Sequence, residues 1–207
     1  WLSHERIYQY LRSDRLAGGN WHAQLRRRVG LRRTRRSTAY KGKITQRVSI
    51  DQRPSIVDEK SRIGDWEADL MLGGQGGGAL LTVVERKSRW TCMARLPSKQ
   101  SEVVAEALIN LLRPYKKQVK TVTLDNGNEF AQHVNVSKAL QASVYFAHPY
   151  CAWQRGLSEN TNGLLRQYFP KGTNFKIIRQ AKLDQIQKRL NQRPRKILDF
   201  LTPQQIF

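Results

Sequence analysis

The sequence predicts an α/β protein in which a mixed five-stranded sheet is flanked by helices and preceded by a partial helical, basic region. Two observations carry that prediction. From residue 61 onward, β-rich and helical runs follow one another as β-β-β-α-β-α-β-α-α, the order of a three-stranded meander extended by βα units. Before residue 61 the texture is different. Residues 1–60 hold 15 Lys and Arg against 5 Asp and Glu, whereas residues 61–207 hold 22 against 11.

Residues 1–16 read as a helix, with Ser3 as N-cap, Glu5 in the first turn and Ile7, Tyr8 and Leu11 at helical spacing. It is either an ordinary amphipathic helix or the second helix of a helix-turn-helix. Gly18-Gly19 breaks it, and a second short helix spans Trp21 to Arg28. Seven arginines then crowd residues 26–36: Arg26, Arg27, Arg28, Arg32, Arg33, Arg35 and Arg36. Such a like-charged block repels itself until an anion arrives. Residues 1–36 are therefore expected to be a helix-turn-helix remnant with an Arg-rich DNA-binding segment. Residues 37–60 are expected to be a linker and 61–207 a catalytic core. Because the chain opens on Trp1, a preceding segment is expected.

In the core, DWEADLML is the first strand, and the glycines at 73, 74 and 76–78 form a hairpin loop. ALLTVVERKS and RWTCMARLP are the next two strands. Residues 101–113 form a helix with Val103, Val104, Ala107, Leu108, Leu111 and Leu112 as its expected buried face, stopped by Pro114. TVTL is a short strand, 129–140 a helix and ASVYFAHP a fifth strand. Helices follow at 159–168 and 181–191, and Thr202-Pro203 caps a short last one.

The formal net charge of +21 favours a polyanionic partner through phosphate neutralisation. No 18-residue apolar run is present, so no membrane span is expected, and no signal peptide opens the chain. Cys92 and Cys151 suit a reducing compartment. The four histidines show no His-Cys ligand spacing.

Against this basic background three carboxylates stand out: Asp69, Asp125 and Glu159, separated by 56 and 34 residues. Hard cations such as Mg²⁺ take oxygen ligands, and paired ions about 3.5–4 Å apart serve phosphoryl transfer. Asp65, Glu67 and Asp69 share one strand face, and spacing does not choose among them. Asp-Asn-Gly at 125 is also an ordinary turn signal, but it sits at the carboxyl end of a strand, where αβ folds bind ligands. Ser158 can cap the helix that Glu159 begins, and the same placement aims Glu159 at the strand ends. Asn162 and Arg166 lie three and seven residues on, along the same face, as candidate DNA-backbone contacts.

The stretch from about Gly64 to Phe207 resembles the integrase-type core of DDE transposases, most closely those of the IS-thirty insertion-sequence family. The resemblance is carried by Trp66-Glu67-Ala68-Asp69, by Leu124-Asp125-Asn126-Gly127-Asn128-Glu129-Phe130, by His148-Pro149-Tyr150 with Trp153-Gln154-Arg155-Gly156, and by Glu159-Asn160-Thr161-Asn162-Gly163. It implies a ribonuclease-H-like fold. It also singles out Asp69, Asp125 and Glu159 as catalytic residues holding two Mg²⁺, for which Mn²⁺ substitutes. The implied activity is DNA strand cleavage and strand transfer on terminal inverted repeats and target DNA. An oligomer, at least a dimer, is implied, with a prokaryotic cytoplasmic, nucleoid-associated location. The alternative is a truncated, non-catalytic DNA-binding repressor of transposition.

Overall fold

The computed structural model describes residues 2–25, 44–149 and 151–207. Three strands open the core: β1 (Asp65–Leu72), β2 (Ala79–Glu85) and β3 (Thr91–Leu96). They pair antiparallel, with Asp69 opposite Thr82 and Val83 opposite Cys92. The glycine loop between β1 and β2 closes through Gly73 N–H to Gly78 O at 3.0 Å. Gly78 is needed there: its φ is +68°, and a Cβ would lie 2.5 Å from the Leu96 carbonyl oxygen. Every residue of β2 is buried, the pattern of a strand covered on both faces.

Helices α1 (His4–Leu16) and α2 (Ile56–Glu59) precede β1 in the chain, and α3 (Ser101–Leu112) follows β3. The chain continues through β4 (Thr121–Leu124), α4 (His133–Leu140), β5 (Ser143–Phe146), α5 (Gly156–Leu165), α6 (Gln180–Asn191) and α7 (Pro203–Ile206). The sheet order is β3-β2-β1-β4-β5. β4 runs parallel to both β1 and β5, so the meander and the βα units meet at β1. The expected mixed five-stranded sheet is the one observed.

Alternation along β1 splits the protein into two layers. Trp66 and Ala68 face a core with Val104, Leu108 and Leu112 of α3 and Val136 and Leu140 of α4. Met71, on the opposite face, joins Leu80, Met93, Leu164 and Leu165 of α5, Phe169, Phe175 and Leu183 and Ile186 of α6. Asp65, Glu67 and Asp69 share the face of Met71, beneath α5. The chain closes with Thr202 as N-cap of α7 in a full capping box with Gln205. Phe207 then stacks on Trp90 with ring centroids 5.2 Å apart.

The N-terminal segment begins as expected, with Ser3 accepting from Arg6 N–H at the start of α1. No residue of α1 is buried. Trp21–Gln24 is a single 3₁₀ turn rather than the start of a longer helix, and its entry is held by Trp21 N–H donating to Asp14 Oδ2 at 3.1 Å. The arginines at 26, 27, 28, 32, 33, 35 and 36 lie outside the described residues.

The linker expected over 37–60 is corrected in its described part. Phe146 N–H donates to Val48 O at 2.9 Å, and Ser49 bridges Phe146 in parallel, so this segment covers the outer edge of β5. Ile50 and Val57 are buried, and buried Arg53 donates to Thr123 Oγ1 at 2.9 Å. An uncovered edge strand would leave unpaired N–H and C=O groups. The segment satisfies the Phe146 N–H with its main chain, which its polar composition does not reveal. Among the described residues no helix is long and apolar enough to cross a membrane.

Candidate active site

The three acids of β1 have different surroundings. Asp65 is 1% exposed. It accepts from Arg62 Nε and Nη2 at 2.9 and 3.0 Å and from Thr121 Oγ1 at 2.8 Å, which commits it as a structural anchor. Glu67, also 1% exposed, accepts from Arg86 Nη1 and from the Ser158 backbone N–H and Oγ at 3.0 and 3.2 Å. It pins the start of α5 to the sheet. Asp69 alone opens toward the carboxyl ends of the parallel strands.

Asp69 Oδ2 accepts from Asn162 Nδ2 at 2.7 Å, and Oδ1 lies 3.3 Å from Arg155 Nη1. Burial raises the Asp69 carboxyl above its ordinary value, Arg155 pulls it back and the charge of Asp125 pushes it up again. Asp125 caps the end of β4. Its Oδ1 accepts from Gly127 N–H at 2.8 Å, and its Oδ2 lies 3.4 Å from Arg155 Nη2. The turn reading of Asp125 is thus realised by Oδ1, while Oδ2 faces Arg155.

Arg155 therefore bridges the two carboxylates with one guanidinium. The pair is close enough to demand a shared cation, and both acids are hard oxygen donors of the kind that hold divalent ions. In this sense Asp69 and Asp125 fit a metal ion, with the guanidinium standing in for its charge. Asn126, beside Asp125, is clamped between Arg47 and the Ala147 carbonyl, which fixes the turn.

Glu159 lies in the first turn of α5 and is exposed. It stands between Ser158, bound to Glu67, and Asn162, bound to Asp69. Among the described residues no three of His, Cys, Asp and Glu lie close enough to hold an ion together. The structure brings Asp69 and Asp125 together and leaves Glu159 on the adjoining helix turn.

Three sequence expectations change here. α5 begins at Gly156 with Arg155 as N-cap residue, so Ser158 is not its cap; the hydroxyl serves Glu67 instead. α5 ends at Leu165, not 168, because the next residues tighten into turns, with Gln167 N–H donating to Leu164 O at 3.2 Å and Tyr168 N–H to Leu165 O at 2.9 Å. Asn162 faces inward, and its other amide atom, Oδ1, accepts from Thr82 Oγ1 at 3.0 Å, so both amide atoms bond within the protein. Arg166 is half-buried, with Nη1 3.4 Å from the carbonyls of Phe169 and Pro170, and burial lowers its pKa. Arg155 is a site residue that the sequence does not mark. It stands in the WQRG block, but nothing local distinguishes it from the other arginines of so basic a chain.

Residues 59–152 match the model of the integrase core domain. The chain is 42% identical over 208 residues to the transposase for insertion sequence element IS4351 of Bacteroides fragilis, covering all of this chain and 64% of that protein. It is 39% identical to the transposase InsI for insertion sequence element IS30A of Escherichia coli K12, over 99% of this chain and 55% of that protein. Over its whole length the chain is thus similar to transposases of the IS-thirty type, and residues 59–152 carry the integrase core domain. The chain spans roughly half to two thirds of the length of these relatives.

The fold is ribonuclease-H-like. The catalytic core domain of BIV integrase superposes with a TM-score of 0.51 at 21% identity, over 69% of this chain and 92% of that one. A chain of the simian T-cell lymphotropic virus intasome superposes at 0.57 and 19% identity, over 70% of this chain and 54% of that one.

Proposed function

We propose that this chain cuts and joins DNA strands at the ends of an insertion sequence, using Asp69, Asp125 and Glu159 as its carboxylate site. The observation that carries the reading is the convergence of Asp69 and Asp125 from adjacent parallel strands onto one shared cation. Bound there, two Mg²⁺ ions, or Mn²⁺ in their place, would supply activation of the attacking oxygen and stabilisation of the departing 3′-oxygen. The chain's own residues do the rest. Asn162 and Thr82 hold the Asp69 carboxylate in one orientation, and Gly127 N–H holds Asp125 by one oxygen while the other faces Arg155. Glu67, through Ser158, fixes the first turn of α5, which carries Glu159. Arg155, beside the two acids, would offer its guanidinium to a phosphate oxygen of the scissile strand.

Water is the first attacking group, and a DNA 3′-hydroxyl the second; no protein–DNA covalent bond is required. The DNA partners are terminal inverted repeats and target DNA, bound by the arginine block and by Arg166. Two ends must be held at once, so the working form is at least a dimer.

Strand nicking on labelled DNA carrying the element's ends tests this, with parent and Glu159→Gln in Mg²⁺ or Mn²⁺. Metal-dependent nicking by the parent and its loss in the variant are expected, with DNA binding retained. Equal nicking by both would remove Glu159 from the site, and a nicked but never joined product would make the chain a nuclease.

A further inference from the structure

A second concave site adjoins the start of α5, between it, the β2–β3 turn and the segment after α6. The cavity measures about 290 Å³ and is walled by Lys60, Arg86, Arg89 and Arg195, with Trp153 and Asn160 among its other lining residues. Glu67 is its acidic lining residue, and that charge is committed to Arg86 and to Ser158. Asp69, Asp125 and Glu159 do not line it.

Lys60 and Arg89 therefore add positive charge beyond the pairing of Arg86 with Glu67 and Asp58, inside a partly dry space. Arg89 is held at a left-handed φ of +65°, and its Nε is buried without a hydrogen-bond partner. Burial lowers the Arg89 pKa. Lys60 is lowered first by burial and then by repulsion from Arg89 and Arg86. An entering anion would relieve both effects. Beside these cations Trp153 is 74% exposed, an indole face left open where unpaired bases stack well.

We propose that this cavity is a subsite for one unpaired DNA strand, with a phosphate between Lys60 and Arg89 and a neighbouring base stacked on Trp153. The inference rests on the DNA reading above and adds a place for the strand to lie. A duplex buries the faces of its bases, so the ligand is single-stranded. Glu67 and Asp69 are two residues apart on β1, about 7 Å, so the subsite sits within one or two nucleotides of the carboxylate pair. A strand end frayed at the cleavage site would be caught there.

The test is fluorescence anisotropy of a short single-stranded oligothymidylate with the full chain, across a salt series and without divalent metal. Lys60→Ala and Arg89→Ala are each expected to weaken binding several-fold and to flatten the salt slope by ~0.7 for each phosphate no longer neutralised. Lys60→Arg should retain the parent slope. Trp153→Ala should weaken binding about tenfold with the slope unchanged, and Trp153→Phe should recover most of the affinity. Arg86 is left intact because its removal would strand Glu67. Parent affinity and slope in all these variants, with equal thermal midpoints, would overturn the subsite while leaving the DNA reading in place. Should the parent bind no DNA, the functional reading itself fails. Titration with inorganic phosphate then decides: a saturable shift of the Arg89 Nε–H resonance, absent in Lys60→Ala, would mean a free-anion site and overturn the strand proposal. No shift would overturn any anion site.

Discussion

Asn162 of α5 donates a 2.7 Å hydrogen bond to Asp69 Oδ2 of β1, across 93 residues of sequence. The same amide accepts from Thr82 Oγ1, so its orientation is set from both ends. A carboxylate meant to bind an ion needs such a partner, because an unrestrained side chain must lose rotamer freedom on each binding event.

Asn162→Ala is therefore expected to lower metal-dependent nicking by about 10–100-fold, with duplex binding within about twofold of the parent. Raising the divalent ion concentration should restore part of the rate. Unchanged nicking, or a drop in DNA binding equal to the drop in nicking, would return Asn162 to the role of a DNA-backbone ligand.

Glu67 and Arg86 form an ion pair with side chains 2% and 5% exposed, and Glu67 also holds Ser158. Removing one partner of such a buried pair leaves the other charge unmatched. Glu67→Gln should cost about 3 kcal/mol of folding stability, read as a lower urea midpoint. A cost under about 1 kcal/mol would mean that Asp58, 3.2 Å from Arg86 Nη2, suffices to balance it.

Asp69 carries a built-in cost that an ion would remove. Burial, its largest influence, raises its pKa above the ordinary 3.8, so the folded chain holds this proton more tightly than the unfolded chain. Stability from this group is then present at low pH and falls as pH rises from about 3.8 through the folded value. In EDTA at neutral pH, Asp69→Asn should unfold at higher urea than the parent, and the gap should close below pH 3.8. Added Mg²⁺ should stabilise the parent and not the variant. A parent more stable than Asp69→Asn in EDTA at neutral pH would show that the Arg155 pairing outweighs desolvation.

The arginine block supplies the fourth test. Replacing Arg26, Arg27, Arg28, Arg32 and Arg33 with Ala should weaken DNA binding and flatten the salt slope by up to ~0.9 for each phosphate left without its cation. An unchanged slope would make the block a solvated tail.

Local pattern alone was enough for the order of elements, the two faces of β1 and the Thr202 cap, because each depends on neighbours within a turn or a pleat. Acidic residues at 65, 67 and 69 were equally legible as one face, but local pattern does not rank them. The resemblance singled out Asp69, and the tertiary structure alone gave each acid its remote partner: Thr121 for Asp65, Ser158 for Glu67 and Asn162 for Asp69, at 56, 91 and 93 residues' distance. The same holds for Arg155, one arginine among many until folding sets it between Asp69 and Asp125. It holds too for residues 44–60, whose polar composition suggested a linker although their main chain completes the edge of β5. Composition and periodicity report which side chains a segment can bury. Which charges meet, and which backbone groups need covering, is decided by where remote segments come to rest.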